Sequence, residues 1–349
     1  MPSETIYHGR RAVCIENDDL RVTVLIGGGH IAEVYDKATG VNPLWTPPWP
    51  SIEPSQFDAS PHRDYGDSGE AKLLAGIMGH NLCLDIFGGP SEDEARAGLT
   101  PHGEASVVDY ETDGSGGGLT VRARLPLAGL NLERRLEVRG RAVWIRETVQ
   151  NTSGVDKPIG WTQHVTLGPP FLEKGRTEFR ASLTRSMVFE SPFGAHDYLR
   201  PGAEFEWPFA PRLDGGSEDL RRFTSASASD AYTAHLTDPQ RPDAFFVAFS
   251  SASRLAFGYV WRRADFPWLG IWEENLSRSH APWGSRTLTR GMEFGVSPMP
   301  ETRRAMVERG RLFDTPGYRW IPASAEVSVE YWCVAAAAEA IPETLEWPA

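Results

Sequence analysis

The sequence of 349 residues predicts an all-β protein built as a large sandwich, and two observations carry that prediction. Short runs of alternating apolar and polar residues follow one another along most of the chain, separated by Gly, Pro, Asn and Asp clusters that mark turns. Helical periodicity is scarce: residues 90–97 and 300–309 read as short helices, the second ending at Gly310. A hydrophobic fraction of 40% with 23% charged residues is enough to bury a sizeable core. No internal repeat or Ser/Gly linker divides the chain, so residues 1–349 are expected to form one domain.

Taken in order, residues 12–26 are two alternating runs around the polar Glu16-Asn-Asp-Asp19, a hairpin signal. Gly27, Gly28 and Gly29 permit a tight change of direction before a strand resumes at 31–35; no helix follows them, so they are not a nucleotide fingerprint. The stretch 43–63 holds Trp45, Pro47, Pro48, Trp49, Pro50, Pro54 and Pro61, which rules out regular structure and predicts an aromatic loop packed over something. Strands are then expected at 106–111, 119–125, 130–138, 142–150 and 159–167, and later at 177–184, 232–236, 244–250, 255–261, 291–297 and 325–335. The arginines 134, 135, 139, 141 and 146 read as the solvent face of a strand pair.

Composition also excludes some functions. A formal net charge of -12, from 47 acidic and 35 basic residues, repels phosphate backbones and anionic lipid, so neither nucleic acid nor membrane is an expected partner. There is no apolar run of about 18 residues and no basic-then-apolar leader at the N-terminus. The three cysteines, Cys14, Cys83 and Cys333, are far apart in apolar sequence without metal-ligand spacing, as expected of buried thiols in a reducing, cytoplasmic setting.

Chemistry is suggested by two histidine motifs, Thr100-Pro-His-Gly-Glu104 and Trp161-Thr-Gln-His164 followed by Gly168-Pro-Pro170. Histidine titrates nearest neutral pH, so His102 and His164, both expected near strand ends, are candidates for proton transfer; His8, His62, His196, His235 and His280 are assigned structural roles. A carboxylate partner is needed. Glu293, a lone acid in the glycine-flanked Gly291-Met-Glu-Phe-Gly295, is the first candidate, with Glu273 and Glu274 competing. Trp45, Trp49, Trp161, Trp261, Trp268, Trp272 and Trp283 sit in loop-rich or glycine- and proline-flanked sequence; indole faces stack on the apolar face of a sugar ring, although core packing explains most tryptophans.

In that order and context the motifs resemble the aldose 1-epimerase, or galactose mutarotase-like, family. His102-Gly103 resembles its His-Gly motif; Val149-Gln-Asn-Thr-Ser153 with Gln163-His164 resembles its Asn-x-Ser/Thr turn and second histidine; Gly291-Met-Glu293 resembles the late strand bearing its glutamate. The resemblance implies a β-supersandwich that opens and recloses an aldose ring, interconverting its anomers, with Glu293 as base, His164 as acid and His102 donating a hydrogen bond. It implies no metal or organic cofactor, a small-molecule carbohydrate as partner, and a monomer or homodimer. His80, Asn81, Glu104, Trp161, Gln163, Asp265, Trp272 and Glu273 are the candidate sugar contacts. Met78-Gly-His-Asn-Leu82 stands where the family has an Asn-Arg pair, and Glu104 where it has a glycine or apolar residue, which mark a divergent member. Two further readings stay open: a sugar-binding protein without catalysis, and a metal enzyme using His80, His102, Glu104 and His164.

Overall fold

Two antiparallel sheets dominate the computed structural model, which describes residues 2–115 and 117–348. Among the described residues the larger sheet has twelve strands. Its centre runs, in spatial order, His80–Asp85, Lys157–Leu167, Leu288–Gly295, Trp268–Asn275 and Ser229–Thr237. The N-terminal meander Arg10–Glu16, Leu20–Leu25, Ile31–Asp36 flanks one side, and Leu183–Val188 the other. The second sheet has eight strands, with Asp243–Ser250, Leu255–Arg262, Glu326–Ala337, Ala142–Asn151 and Leu130–Arg139 at its centre. Spatial order departs from chain order, so neighbouring strands of the larger sheet draw on distant parts of the sequence.

The two-residue pleat decides what faces the second sheet. On the larger sheet Leu82, Leu84, Trp161, Val165, Met292, Phe294, Leu269 and Ile271 point inward to meet Leu136, Ile145, Val149, Phe246, Tyr259 and Trp261. A buried polar knot sits in this core. Glu147 Oε1 accepts from Arg134 Nε at 2.7 Å and Tyr331 Oη at 2.8 Å, while Oε2 accepts from Trp161 Nε1 at 2.8 Å and Gln163 Nε2 at 2.7 Å. Arg134 therefore departs from its expected solvent-facing role: it alternates in phase with the inward Leu132 and Leu136, and is fully buried against Glu147.

The expected strands at 119–125, 130–138, 142–150, 244–250 and 255–261 form within a residue or two of their predicted limits. The expected strand at 106–111 does not: Glu104–Ser106 is a 3-10 turn, Asp109 makes an isolated bridge to Gly27, and the strand itself starts at Glu111. The run 177–184 breaks into Glu178–Ala181, on the second sheet, and Leu183–Val188, on the first. The strands His80–Asp85 and Trp268–Asn275 were not evident in the sequence because every residue in each is buried, which removes the alternating signal. Two expected helices appear, shortened, at Glu92–Arg96, with a Ser91–Glu94 capping box, and Arg303–Arg309, capped by Thr302 and closed by Gly310 at φ +64°. Arg303 ties them together through Glu94 and Asp85, each at 2.7 Å. Among the described residues no helix is long and apolar enough to cross a membrane, and all three cysteines are buried and unpaired.

Candidate active site

On the outer face of the larger sheet one register row sets the site. Asn81 pairs with His164, His164 with Glu293, and Glu293 with Gly270, so three polar side chains from distant strands stand side by side. Glycine clears the space around them. A Cβ at Gly291 would lie 2.2 Å from Glu293 Oε1, and one at Gly270 would lie 2.1 Å from the hydroxyl of Tyr232. The neighbouring row brings Thr166, Gly291, Trp272 and Tyr232 alongside.

Above this floor lies a cavity of about 360 Å³. His102, His164 and Glu293 supply its polar base; Trp272, Trp283, Phe87 and Tyr232 are among its aromatic walls. Two larger hollows, of about 590 and 780 Å³, lie elsewhere. Neither of them has a histidine in its described lining, whereas the smaller cavity holds an adjacent imidazole and carboxylate and so is the one of the three equipped for proton transfer. The Pro-rich segment does pack over something: Trp49 donates Nε1–H to Leu74 O, and Trp45 stacks on Trp283 at 6.1 Å, bracing the cavity wall.

His164 Nε2 is 3.0 Å from Glu293 Oε1. The distance is within hydrogen-bond reach, but the angles do not complete a bond, so Oε1 is left without a protein partner. His164 Nδ1 lies 3.0 Å from Thr166 Oγ1, which holds the ring in orientation. Burial pushes the Glu293 carboxyl well above the ordinary carboxylate range; burial, with His102 adding to it, pushes the His164 imidazole well below its ordinary value. Burial thus favours the neutral form of each group, which places one proton on the pair, on the carboxyl.

His102 is positioned by the backbone and by Asn81. It adopts φ +66° next to Gly103 at φ +77°, where a Cβ on Gly103 would lie 2.0 Å from Leu84 O. Gly103 is needed for that close approach to the neighbouring strand. Ser106 Oγ donates to Leu82 O at 2.7 Å and so accepts from Asn81 Nδ2 at 3.2 Å; the same amide nitrogen donates to His102 Nδ1 at 3.1 Å. That leaves the His102 proton on Nε2, as a donor. Its ring lies 4.8 Å from that of His164, and burial followed by the charge of Arg278 lowers its pKa to about 4.

Of the residues singled out in the sequence, the cavity gathers His102, His164, Glu293, Trp272 and Trp283, with Asn81 behind His102. The others lie elsewhere. His80, Trp161 and Gln163 are on the opposite pleat, in the inter-sheet core, where His80 contacts Tyr259 Oη and Gln163 at 3.0 Å each. Glu104 accepts the Ala128 N–H at 2.7 Å and holds a turn. Glu273 faces inward and accepts from Ser229 Oγ at 2.6 Å; Asp265 lines the 590 Å³ hollow beside Arg319. His80 and Glu104 therefore do not join His102 and His164, and among the described residues no group of three or more His, Cys, Asp or Glu converges to hold a metal. Nor is His164 at a strand end: it is central in Lys157–Leu167. Tyr232, Phe193 and Arg278 line the cavity without any local sequence signal.

One wall, with Phe189, Pro192 and Phe193, is pinned by two carboxylates. Asp197 accepts the Phe193 N–H, and Asp230 accepts the His196 N–H at 3.2 Å and the Ser277 hydroxyl. Burial, then hydrogen bonding to Asp230, pushes the Asp197 carboxyl up to about 7. A raised carboxyl favours the fold while protonated, so this contribution is present in acid and is lost as pH rises through about 7. Asp197→Asn is expected to remove that dependence. Thermal unfolding from about pH 4 to about pH 8 checks it: the wild-type midpoint should fall relative to the variant's with rising pH, and parallel curves would refute the shared-proton account.

This architecture is the galactose mutarotase-like sandwich, with an imidazole and a carboxylate paired across adjacent strands of its outer face. Among solved structures, a candidate aldose 1-epimerase from Klebsiella pneumoniae is similar over 97% of this chain and 84% of its own, with a TM-score of 0.68 and 14% identity. A galactose mutarotase-like protein from Clostridium acetobutylicum is similar over 97% and 98%, at TM-score 0.62 and 13% identity. A galactose mutarotase related enzyme from Lactobacillus acidophilus covers 95% and 99%, at 0.60 and 14%. No family sequence profile matches the chain, and no curated protein matches it by sequence.

Proposed function

We propose that the protein is an aldose 1-epimerase, and the observation that carries this reading is the His164–Glu293 pair, 3.0 Å apart at the base of an aromatic cavity. Opening a cyclic aldose requires one group to take the proton from the anomeric hydroxyl while another protonates the ring oxygen. The C1–O5 bond breaks as the C1=O1 bond forms. With the pair's proton on His164 Nε2, the Glu293 carboxylate accepts the O1 proton and His164 delivers its own to O5. The pair then holds its proton on Glu293, the state favoured by burial, and rotation about C1–C2 exposes the other carbonyl face. Closure reverses both transfers: O5 attacks C1, His164 takes the O5 proton and Glu293 returns one to O1. His102 Nε2–H supports the oxygen that carries developing charge. The apolar walls favour the C–H faces of a sugar ring, and Trp272 and Trp283 offer the flat surfaces for it.

Anomer exchange measured by NMR, with purified protein and a panel of free aldoses, tests the reading. Exchange at the uncatalysed rate for every sugar would overturn it. Sugar binding in that circumstance would favour a recognition protein on the same fold. A second check uses Gly291, whose missing Cβ makes room for the Glu293 carboxylate. Because the obstructing atom is the end of a flexible side chain, Gly291→Ala is expected to displace the carboxylate with little loss of stability, lowering kcat by about 10²-fold. Wild-type kcat in that variant would show that the carboxylate's position is immaterial.

A further inference from the structure

The cavity carries one permanent cation among its described lining residues, Arg278, and proton transfer at the anomeric centre makes no use of it. The sequence positions it firmly. Glu274 Oε1 accepts the Ser277 N–H at 2.8 Å and the Arg278 N–H at 3.1 Å, which folds the turn back on the end of strand Trp268–Asn275. Oε2 of the same carboxylate lies 3.5 Å from Arg278 Nε. The guanidinium carbon then sits 4.8 Å from the Trp283 ring, 5.5 Å from Trp272 and 5.9 Å from Phe193, three aromatic faces that hold its plane.

What Arg278 lacks, beyond the Glu274 carboxylate beside Nε, is an acceptor for its two Nη groups. Among the described residues neither Nη1 nor Nη2 donates a hydrogen bond to a protein atom, although the side chain is only 19% exposed. By contrast, the guanidinium groups of Arg10 and Arg303 are occupied, Arg10 by Glu53, Ser51, Gly76 O and Gly27 O, and Arg303 by Asp85 and Glu94. A half-desolvated fork with two free Nη groups facing an aldose-sized cavity is built to receive an anionic substituent. Trp272 links it to the chemistry, its ring being 5.8 Å from the His164 ring and 5.5 Å from the Arg278 guanidinium carbon.

We propose that the substrate class is an aldose that carries a carboxylate, a uronate with a free anomeric centre, its carboxylate held bidentate by Arg278 while C1 lies between Glu293 and His164. The inference rests on the epimerase reading of the same site. A planar carboxylate matches the two parallel Nη donors in shape and in its single charge. A phosphate carries about -1.5 to -2 at neutral pH, and here it would meet one guanidinium already shared with Glu274, with Glu70 also in the lining.

The experiment compares anomer exchange of glucuronate and galacturonate with glucose, galactose and glucose 6-phosphate, in wild type, Arg278→Met and Arg278→Lys, alongside direct titration of each sugar by calorimetry. Wild-type kcat/KM is expected to favour the uronates over their parent hexoses by about 10- to 100-fold, with the 6-phosphate below the uronates. Arg278→Met is expected to bring the uronate-to-hexose ratio close to one by raising KM, and Arg278→Lys to recover part of it. Equal kcat/KM for uronate and hexose in wild type, or a phosphate preference, overturns the proposal whether or not the variants fold. If no sugar shows catalysed exchange, the epimerase reading fails by itself; calorimetry then decides the carboxylate claim, with Arg278-dependent uronate binding supporting it and equal or absent binding overturning it.

Discussion

Replacing Glu293 with glutamine is expected to lower catalysed anomer exchange by about 10²- to 10⁴-fold, the usual contribution of a positioned acid/base group. The amide keeps the shape of the carboxylate beside Gly291 but cannot accept a proton from a sugar hydroxyl. Because burial already favours the neutral, protonated carboxyl, a neutral amide of the same shape replaces it at little cost, so the unfolding midpoint should hold steady. Loss of activity at unchanged stability separates a chemical role from a packing one. His164→Asn should behave alike. The pH profile sharpens the test. Below the depressed His164 value the pair holds two protons and no base remains, and above the raised Glu293 value it holds none and no acid remains. Wild-type kcat/KM should therefore form a plateau between those two values and decline on either side of it. Glu293→Gln within threefold of the wild-type rate would end the assignment of this carboxylate.

Glu147→Gln should be the most damaging core substitution, costing about 3–5 kcal/mol. One carboxylate here satisfies Arg134, Tyr331, Trp161 and Gln163 in a setting with no access to water. An amide leaves Arg134 as a buried cation without its counter-charge, and its nitrogen cannot accept from Trp161 or Gln163. Denaturant titration measures the loss, and a cost under about 1 kcal/mol would show that the ion pair is not what holds this centre together. Joint replacement, Arg134→Met with Glu147→Leu, should recover only the part of the loss that comes from the uncompensated charge, since Trp161 Nε1 and Gln163 Nε2 would still be buried without their acceptor. Trp161 and Gln163 lie on the strand that carries His164, so loosening the knot would also disturb the imidazole.

Much of the scaffold was legible because a half-buried strand writes its period into the sequence. The runs at 119–125, 130–138 and 142–150 alternate, and form strands there. The site strands His80–Asp85 and Trp268–Asn275 are covered on both faces, so their pattern resembles any buried run. The errors at the site are mostly one-residue errors of face. His80 and Gln163 adjoin Asn81 and His164 in the chain, yet the pleat sends each neighbour to the other side of the sheet. Arg134 deceived for the same reason, since an arginine at an inward position is invisible until its counter-ion at Glu147 is found on the next strand.

By itself the sequence determined the all-β class, the turns, the glycines beside Glu293, and a short list of proton-transfer groups containing His102, His164 and Glu293. These depend on local periodicity and residue chemistry, which the chain displays directly. Only the tertiary structure decided that Asn81, His164 and Glu293 share one row, that Asn81 orients His102, and that Arg278 lines the cavity with its Nη groups unmatched. Those relations arise from the register between strands far apart in the chain and from aromatic faces supplied by separate loops. Cross-strand register follows from hydrogen bonding and core packing summed over both sheets, a property that no local window of sequence contains.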